Sequence, residues 1–330
     1  MFIQLNLLKE EQPGGEKWTS FFNRVWPLYK KWFLSEGYLK RTGYLSSYNE
    51  FKRCMPELLP VYEQLCEAVG GDDIKARFLS MYNPPAYMSG CSQIAIAEGK
   101  QSALIRNYDY HPRFFDGMVL YSNFLKPVIG MTDCTWGLID GINADGLAIS
   151  LTFGGRKIVA QGFGIPVVVR YLLEICSTVD EAIEAIKRVP VHMTYNLTLL
   201  DASNNFLTVY LTPDRAPIFV KDKVATNHQE LVEWEEYAAF TKTIERKEYL
   251  DNYAQNSTID IESVVHQFLK PPLYHTNYEK SFGTLYTAVY KPLKKEVEYR
   301  WPRKKITVGF KKFEEKKIQA NLKQIIPKNI

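Results

Sequence analysis

Apolar positions change their period near residue 90, and that change divides the chain. Before it, Leu58, Tyr62, Leu65, Cys66 and Val69 recur at helical spacing, and Gly70-Gly71 ends that helix before Asp72 starts another. Trp18 to Tyr48 is crowded with tryptophan and tyrosine, which suggests a face that packs onto something, most simply the body of the same protein. After Pro84-Pro85 and Gly90, alternation predicts short strands at Met118 to Leu125, Trp136 to Ile142 and Leu147 to Phe153. A helical block follows from Ile165 to Cys176. Thr178 with Glu181 forms a capping box for a second helix, whose stripe is Val179, Ala182, Ile183, Ile186 and Val189. Strands return at Thr194 to Leu200 and Phe206 to Leu211, helices at Glu233 to Tyr253 and Ile259 to Leu269, and a hairpin joins Thr284 to Tyr290 with Glu296 to Trp301. Two strand blocks with helices between and after them predict an α+β fold of packed sheets flanked by helices.

The densest chemistry lies where the period changes. Gly90-Cys91-Ser92-Gln93 opens a strand through Ile94 and Ile96, and Arg106-Asn107-Tyr108-Asp109 lies on its hairpin partner across the turn Glu98-Gly99-Lys100-Gln101. Antiparallel partners sum to a constant, so Cys91 faces roughly Tyr108, with Arg106 and Asp109 close by. A guanidinium favours a thiolate. A carboxylate beside sulfur makes sense only with a cation of its own, and a liberated α-amine at Cys91 would be one. Such an amine has a pKa of about 8 and can act as base for its own side chain. Gly90 would tolerate the strained geometry of an N-to-S acyl shift.

Three runs, Gly90-Cys91-Ser92-Gln93-Ile94-Ala95, Arg106-Asn107-Tyr108-Asp109 and Asp140-Gly141-Ile142-Asn143-Ala144-Asp145-Gly146-Leu147, resemble the N-terminal-nucleophile (Ntn) cysteine hydrolases. His192 to Asp201, Ala225-Thr226-Asn227-His228 and Ser281-Phe282-Gly283-Thr284-Leu285-Tyr286 continue the likeness. The sequence most resembles the penicillin acyl-CoA:6-aminopenicillanate acyltransferase branch, with choloylglycine hydrolases, which cleave linear amides, as cousins. The resemblance implies a four-layer αββα sandwich and autoproteolysis at Gly90-Cys91. It makes Cys91 the nucleophile, Arg106 its cationic neighbour and Asp109 the partner of the freed amine. It also makes Asn196 an oxyanion donor and Arg246 a brace of the site. Residues 1–90 would then be a helical pro-segment kept as an α chain, residues 91–302 the hydrolase core and residues 303–330 a basic extension. The implied reaction is hydrolysis of a linear amide, or acyl transfer from an amide or thioester, through an acyl-cysteine. Thr152 stands where the bile-salt branch carries asparagine, which speaks against bile-salt hydrolysis.

Other readings stay open at this point. Cys91 could pair with His192 or His228 as in papain-like hydrolases without self-cleavage. Cys54, Cys66, Cys134 and Cys176 read as small buried hydrophobes. Arg106 with Asp109 could be a surface ion pair, Asn196 an edge-strand hydrogen-bonder and Arg246 a helix-face charge. Tyr108, Tyr110, Phe114, Phe115 and Phe153 suit either an apolar acyl group or the core. The five histidines form no close pair and the cysteines no CxxC, so neither zinc nor any other cofactor is expected.

With 330 residues, 46% of them hydrophobic, the chain can bury a sizeable core. Met1 to Gln12 lacks the pattern of a signal peptide, no apolar run would span a bilayer, and an odd count of five cysteines fits reduced thiols in a cytoplasmic setting. The net charge of +4 is uneven, because residues 303–330 carry nine Lys or Arg against two Glu. Ile306 to Phe310 could add a strand and Lys311 to Pro327 a basic helix, so a non-enzymatic interaction protein acting through this tail is the second function class. A solvated extension is the simpler reading, with neither nucleic acid nor membrane as partner. Expected partners are a small-molecule amide or acyl donor and the chain's own cleaved N-terminal segment, and a homo-oligomer is compatible. Substituting Cys91→Ala and, separately, deleting the tail discriminates the classes: an enzyme loses activity only with the first, a tail-dependent binder only with the second.

Overall fold

The computed structural model describes residues 1–256, 260–280 and 282–322. The chain opens with β1 (Phe2–Glu10), α1 (Glu16–Phe33), α2 (Tyr44–Cys54), α3 (Leu59–Ala68) and α4 (Asp73–Ser80). Then come β2 (Gly90–Glu98), β3 (Gln101–Tyr110), β4 (Met118–Asn123), β5 (Pro127–Asp133), β6 (Gly137–Asn143) and β7 (Ala148–Phe153). Helices α5 (Ile165–Ile175) and α6 (Val179–Ile186) precede β8 (Tyr195–Leu200), β9 (Phe206–Thr212), β10 (Arg215–Val220) and β11 (Val224–Ala225). Helices α7 (Glu235–Thr241), α8 (Thr243–Asn256) and α9 (Ile261–Phe268) lead to β12 (Thr276–Asn277), β13 (Phe282–Lys291), β14 (Glu296–Trp301), β15 (Lys304–Gly309) and β16 (Lys316–Asn321).

The strands form two sheets. One runs β10-β9-β8-β7-β6-β5-β4-β1-β16; the other runs β11-β2-β3-β13-β14-β15, with β12 beside β13. They meet face to face, β2 and β3 against β7 and β8. Helix α5 covers the larger sheet, and α8 and α9 cover the smaller. This is the layered α+β architecture expected of Ntn hydrolases.

Local signals account for much of this. Thr178 caps α6 by accepting from Glu181 N–H at 3.2 Å, and Asp72 caps α4 by accepting from Lys75 N–H at 3.0 Å. Gly70 and Gly71 take φ of +90° and +65°, which ends the preceding helix. The helix expected over Glu233 to Tyr253 breaks into α7 and α8, because Lys242 adopts φ +53°. The aromatic crowd of the first fifty residues packs inward: Trp18 Nε1 donates to Thr135 O at 3.1 Å, and Phe78 meets the rings of Phe22, Trp26, Tyr29 and Phe33.

The two ends depart from expectation. The segment expected to be helical begins with a strand, since β1 buries Ile3, Leu5 and Leu7 while Phe2 and Gln4 stay exposed. The strand expected at Ile306 to Phe310 is β15, at the edge of one sheet, but the tail is not a solvated extension, and where a basic helix was expected from Lys311 lies β16, at the edge of the other sheet. Lys316-Lys317-Ile318-Gln319-Ala320 alternates with period two, and Ile318 and Ala320 are the buried positions. Residues 323–330 of that expected helix lie outside the described residues. β1 pairs parallel with β4 and antiparallel with β16 (Leu5↔Ile318), so the last strand joins its sheet through the first. Leu5→Ala should therefore cost about 2–5 kcal/mol, whereas Lys317→Ala on exposed β16 should change stability by about 0.5 kcal/mol or less; urea unfolding checks both.

Candidate active site

The β2–β3 hairpin sets the geometry. Gly99 takes φ +58° in its turn, and the register pairs Cys91 with Tyr108, Gly90 with Asp109 and Gln93 with Arg106. Alternation then sorts side chains onto two faces. Gln93 and Arg106 reach the larger sheet: Gln93 Nε2 donates to Thr198 Oγ1 (2.7 Å) and Arg106 Nε to Leu151 O (2.8 Å). Asn107 and Asp109 face the helices, with Asn107 Nδ2 donating to Phe268 O at 2.8 Å.

On the sheet face, Arg106 Nη2 donates to Cys91 Sγ at 3.0 Å. The guanidinium is fully buried and has no freedom left. Its Nη1 bonds Asp140, a carboxylate that also accepts from Tyr286 Oη (2.6 Å) and from Tyr290 Oη, and its plane lies over the Tyr108 ring at 4.7 Å. A surface ion pair is thus not what Arg106 makes. Burial nevertheless pushes the Cys91 thiol above its usual range; Arg106 pulls it down, and Asp109 adds to the rise. Burial wins in this intact chain, so the sulfur is a neutral thiol near pH 7.

On the helix face, Arg246 of α8 is also fully buried. Its Nη1 donates to Cys91 O (2.7 Å), Ser92 Oγ (2.7 Å) and Asp109 Oδ2 (3.4 Å), and its Nη2 to Asn227 Oδ1 (2.7 Å). Asp109 Oδ1 accepts from Thr284 Oγ1 at 2.6 Å, and His275 Nε2 lies 3.9 Å from Asp109 Oδ2. Asn227 Oδ1 accepts the Cys91 N–H at 2.9 Å. Asn227 was not among the residues expected at the site, although the Ala225-Thr226-Asn227-His228 run contained it; an amide just past a two-residue strand beside β2 was the available signal.

Asn196 sits elsewhere. Its Nδ2 donates to Thr152 Oγ1 (3.0 Å), Thr226 O (2.9 Å) and His228 O (2.9 Å), and no hydrogen bond joins it to Cys91. Asn196 and Thr152, paired across β7 and β8, hold the loop that presents Asn227. Neither candidate histidine bonds the thiol: His192 Nδ1 faces Phe163 O (3.3 Å) and His228 Nδ1 faces Thr243 Oγ1 (2.8 Å), and burial lowers each to a pKa of about 4. Among the described residues no group of three or more His, Cys, Asp or Glu could hold a metal ion.

Gly90 owes its identity to packing. Its φ is not left-handed, but a Cβ there would lie 2.2 Å from the Phe282 ring. One residue earlier, Ser89 O accepts from Tyr237 Oη (2.9 Å) and Asn227 Nδ2 (3.3 Å), and Ser89 Oγ lies 3.8 Å from Cys91 Sγ. Ser281, part of the sequence resemblance, lies outside the described residues.

Residues 96–305 match the model of the acyl-coenzyme A:6-aminopenicillanic acid acyltransferase family. No curated protein matches the chain. Among solved structures, a mutant of the conjugated bile acid hydrolase from Clostridium perfringens shares 16% identity, with 72% of this chain and 100% of that one covered at a TM-score of 0.51. Penicillin V acylase from Agrobacterium tumefaciens shares 15%, covering 67% and 86% at 0.45. The Caenorhabditis elegans ortholog of N-acylethanolamine-hydrolyzing acid amidase shares 15%, covering 62% and 93% at 0.44. The chain therefore belongs to the acyl-coenzyme A:6-aminopenicillanic acid acyltransferase family, and its fold is that of the Ntn hydrolases.

Proposed function

We propose that this protein cuts itself between Gly90 and Cys91 and then works as an N-terminal cysteine hydrolase or acyltransferase on linear amides. One observation carries the reading: the residue whose sulfur accepts from Arg106 has its own backbone nitrogen and carbonyl clamped by Asn227 and Arg246. In cleavage, Sγ attacks the Gly90 carbonyl carbon, the Gly90–Cys91 C–N bond breaks, and the departing nitrogen takes up the thiol proton. Water then hydrolyses the thioester to a Gly90 carboxylate and a free thiol. The new α-amine lies beside Asn227 Oδ1, with Asp109 across the strand pair, and becomes the base for the thiol in later turnovers.

Asn227 Nδ2 and Tyr237 Oη, which now hold Ser89 O, would be released as the cut end withdraws. They then serve as donors for the oxyanion of an incoming acyl group, a role in which each donor is worth about 2.7–4 kcal/mol of barrier. Asn196, which the resemblance cast as that donor, supports the Asn227 loop instead. We favour hydrolysis over acyl transfer, because hydrolysis needs one substrate pocket; the acyltransferase named by the family model keeps transfer as the second reading. No helix among the described residues is long and apolar enough to cross a membrane.

Intact mass under denaturing conditions should show two species split between residues 90 and 91, and one species for Cys91→Ala; a wild type that stays whole through purification and incubation argues against self-cleavage. Gly90→Ala should slow the split by 10-fold or more, because its methyl meets Phe282. Since burial raises the thiol pKa in the intact chain, the thiolate fraction grows with pH. The cleavage rate, followed by denaturing gel, should therefore rise from pH 6 through pH 9, and Arg106→Gln should move the curve further to alkaline pH.

A further inference from the structure

One turn of α8 holds Asn227 at both ends. Arg246 Nη2 donates to its side-chain oxygen at 2.7 Å, and Thr243, earlier on the same helix, accepts its backbone N–H through Oγ1 at 2.7 Å. Residues at i and i+3 share a helix face, so both side chains reach the loop after β11 together. The Thr243 hydroxyl donates to Thr226 Oγ1 at 2.8 Å, and Thr226 Oγ1 in turn donates to Thr243 O at 2.9 Å. His228 Nδ1 lies 2.8 Å from Thr243 Oγ1 and faces its remaining lone pair. A single hydroxyl thus meets Thr226, Asn227 and His228 in succession.

The ordinary role of a threonine at a helix start does not account for this. Such a residue caps its own helix by accepting an N–H from the first turn. Here the Arg246 N–H goes to Lys242 O at 3.0 Å, and the Thr243 oxygen turns away from its helix toward the loop. Lys242 takes φ +53°, a costly conformation for a residue with a side chain, and that break sets Thr243 at the first position of α8. Asn227 is where the placement matters. Its Oδ1 accepts the Cys91 N–H and its Nδ2 holds Ser89 O, so any shift of its backbone moves contacts on both sides of the Gly90–Cys91 bond. From the larger sheet come bonds to the loop's carbonyls, Thr152 Oγ1 and Asn196 Nδ2 to Thr226 O and Asn196 Nδ2 to His228 O, whereas Thr243 takes the N–H between them. Thr243, Thr226, Asn227 and Arg246 are all buried, and a buried N–H stripped of its acceptor is costly.

We propose that Thr243 is a positioning residue for cleavage between Gly90 and Cys91, acting through Asn227; the inference rests on the self-cleavage reading and adds to it the residue that sets the clamp. Thr243 touches no reacting atom. Its hydroxyl fixes the backbone of Asn227 while Arg246 fixes the side chain, and together they keep that amide across the peptide to be cut. Serine retains the acceptor and the donor that this requires, whereas valine retains the branched shape and loses both.

The test times self-cleavage of the full chain by intact mass after a short pulse of cell-free synthesis, so that uncut protein is the starting point. Thr243→Val should slow the cut 10-fold or more, and Thr243→Ser should stay within threefold of wild type. Each rate is divided by the folded fraction, taken from urea unfolding of the same substitution combined with Cys91→Ala, which cannot cut; a purely structural role of Thr243 would vanish on that division. Excess hydroxylamine captures the thioester, so the rate then reports thioester formation, and the ratio of valine variant to wild type should persist because the clamp acts on the bond being broken. A smaller loss for valine, a larger one for serine, or a ratio that hydroxylamine abolishes overturns the role of Thr243 and leaves the cleavage reading intact. A wild-type chain that stays whole with and without hydroxylamine overturns the cleavage reading itself, and the role of Thr243 with it.

Discussion

A buried guanidinium with four partners on three elements holds this site together. Arg246 is fully buried, so a burial penalty of several kcal/mol must be met by well-placed acceptors. Those acceptors are the carbonyl of Cys91, the hydroxyl of Ser92, the carboxylate of Asp109 and the side-chain carbonyl of Asn227. The requirement ties α8 to β2, β3 and the loop after β11, and it fixes the backbone on both sides of the sulfur. Arg106 repeats the arrangement on the opposite face, with Asp140, the Tyr286 hydroxyl and the Leu151 carbonyl as anchors and the sulfur as a further acceptor. Cys91 thus sits between two charges that the fold has already paired.

That pairing explains why the intact chain does not hold a reactive thiolate. Arg106 spends much of its field on Asp140, and desolvation of the sulfur outweighs what remains. Under the proposed reading, burial shields the neutral thiol from oxidation and stray acylation before cleavage, and a free amine at Cys91 then changes this balance. The chain termini serve the same enclosure. β1 and β16 complete the sheet against which the hairpin packs, so part of the N-terminal segment belongs to the sheet itself.

The hairpin register was legible because it is local. Counting from the Gly99 turn paired Cys91 with Tyr108, as observed, and the same count placed Asp109 opposite Gly90. The helical stripe of α6 and its Thr178 cap were legible for the same reason: both depend on residues within one or two turns. Less was readable at the ends. Among the described residues β16 has β1 as its one neighbour in the sheet, and β1 pairs with β4 on its other side, contacts across more than a hundred and more than three hundred residues that no window of sequence contains.

The sequence by itself determined which residue types could act and where the period of burial changes, because propensity, alternation and turn chemistry operate over a few residues. Only the tertiary structure decided which polar groups meet. It set Asn227 against the Cys91 backbone nitrogen, tied Asn196 to the loop that carries Asn227, and turned Arg246 inward. Each outcome follows from burial, since a polar group cut off from water must find its partners among whatever distant strands the fold brings within three ångströms or so.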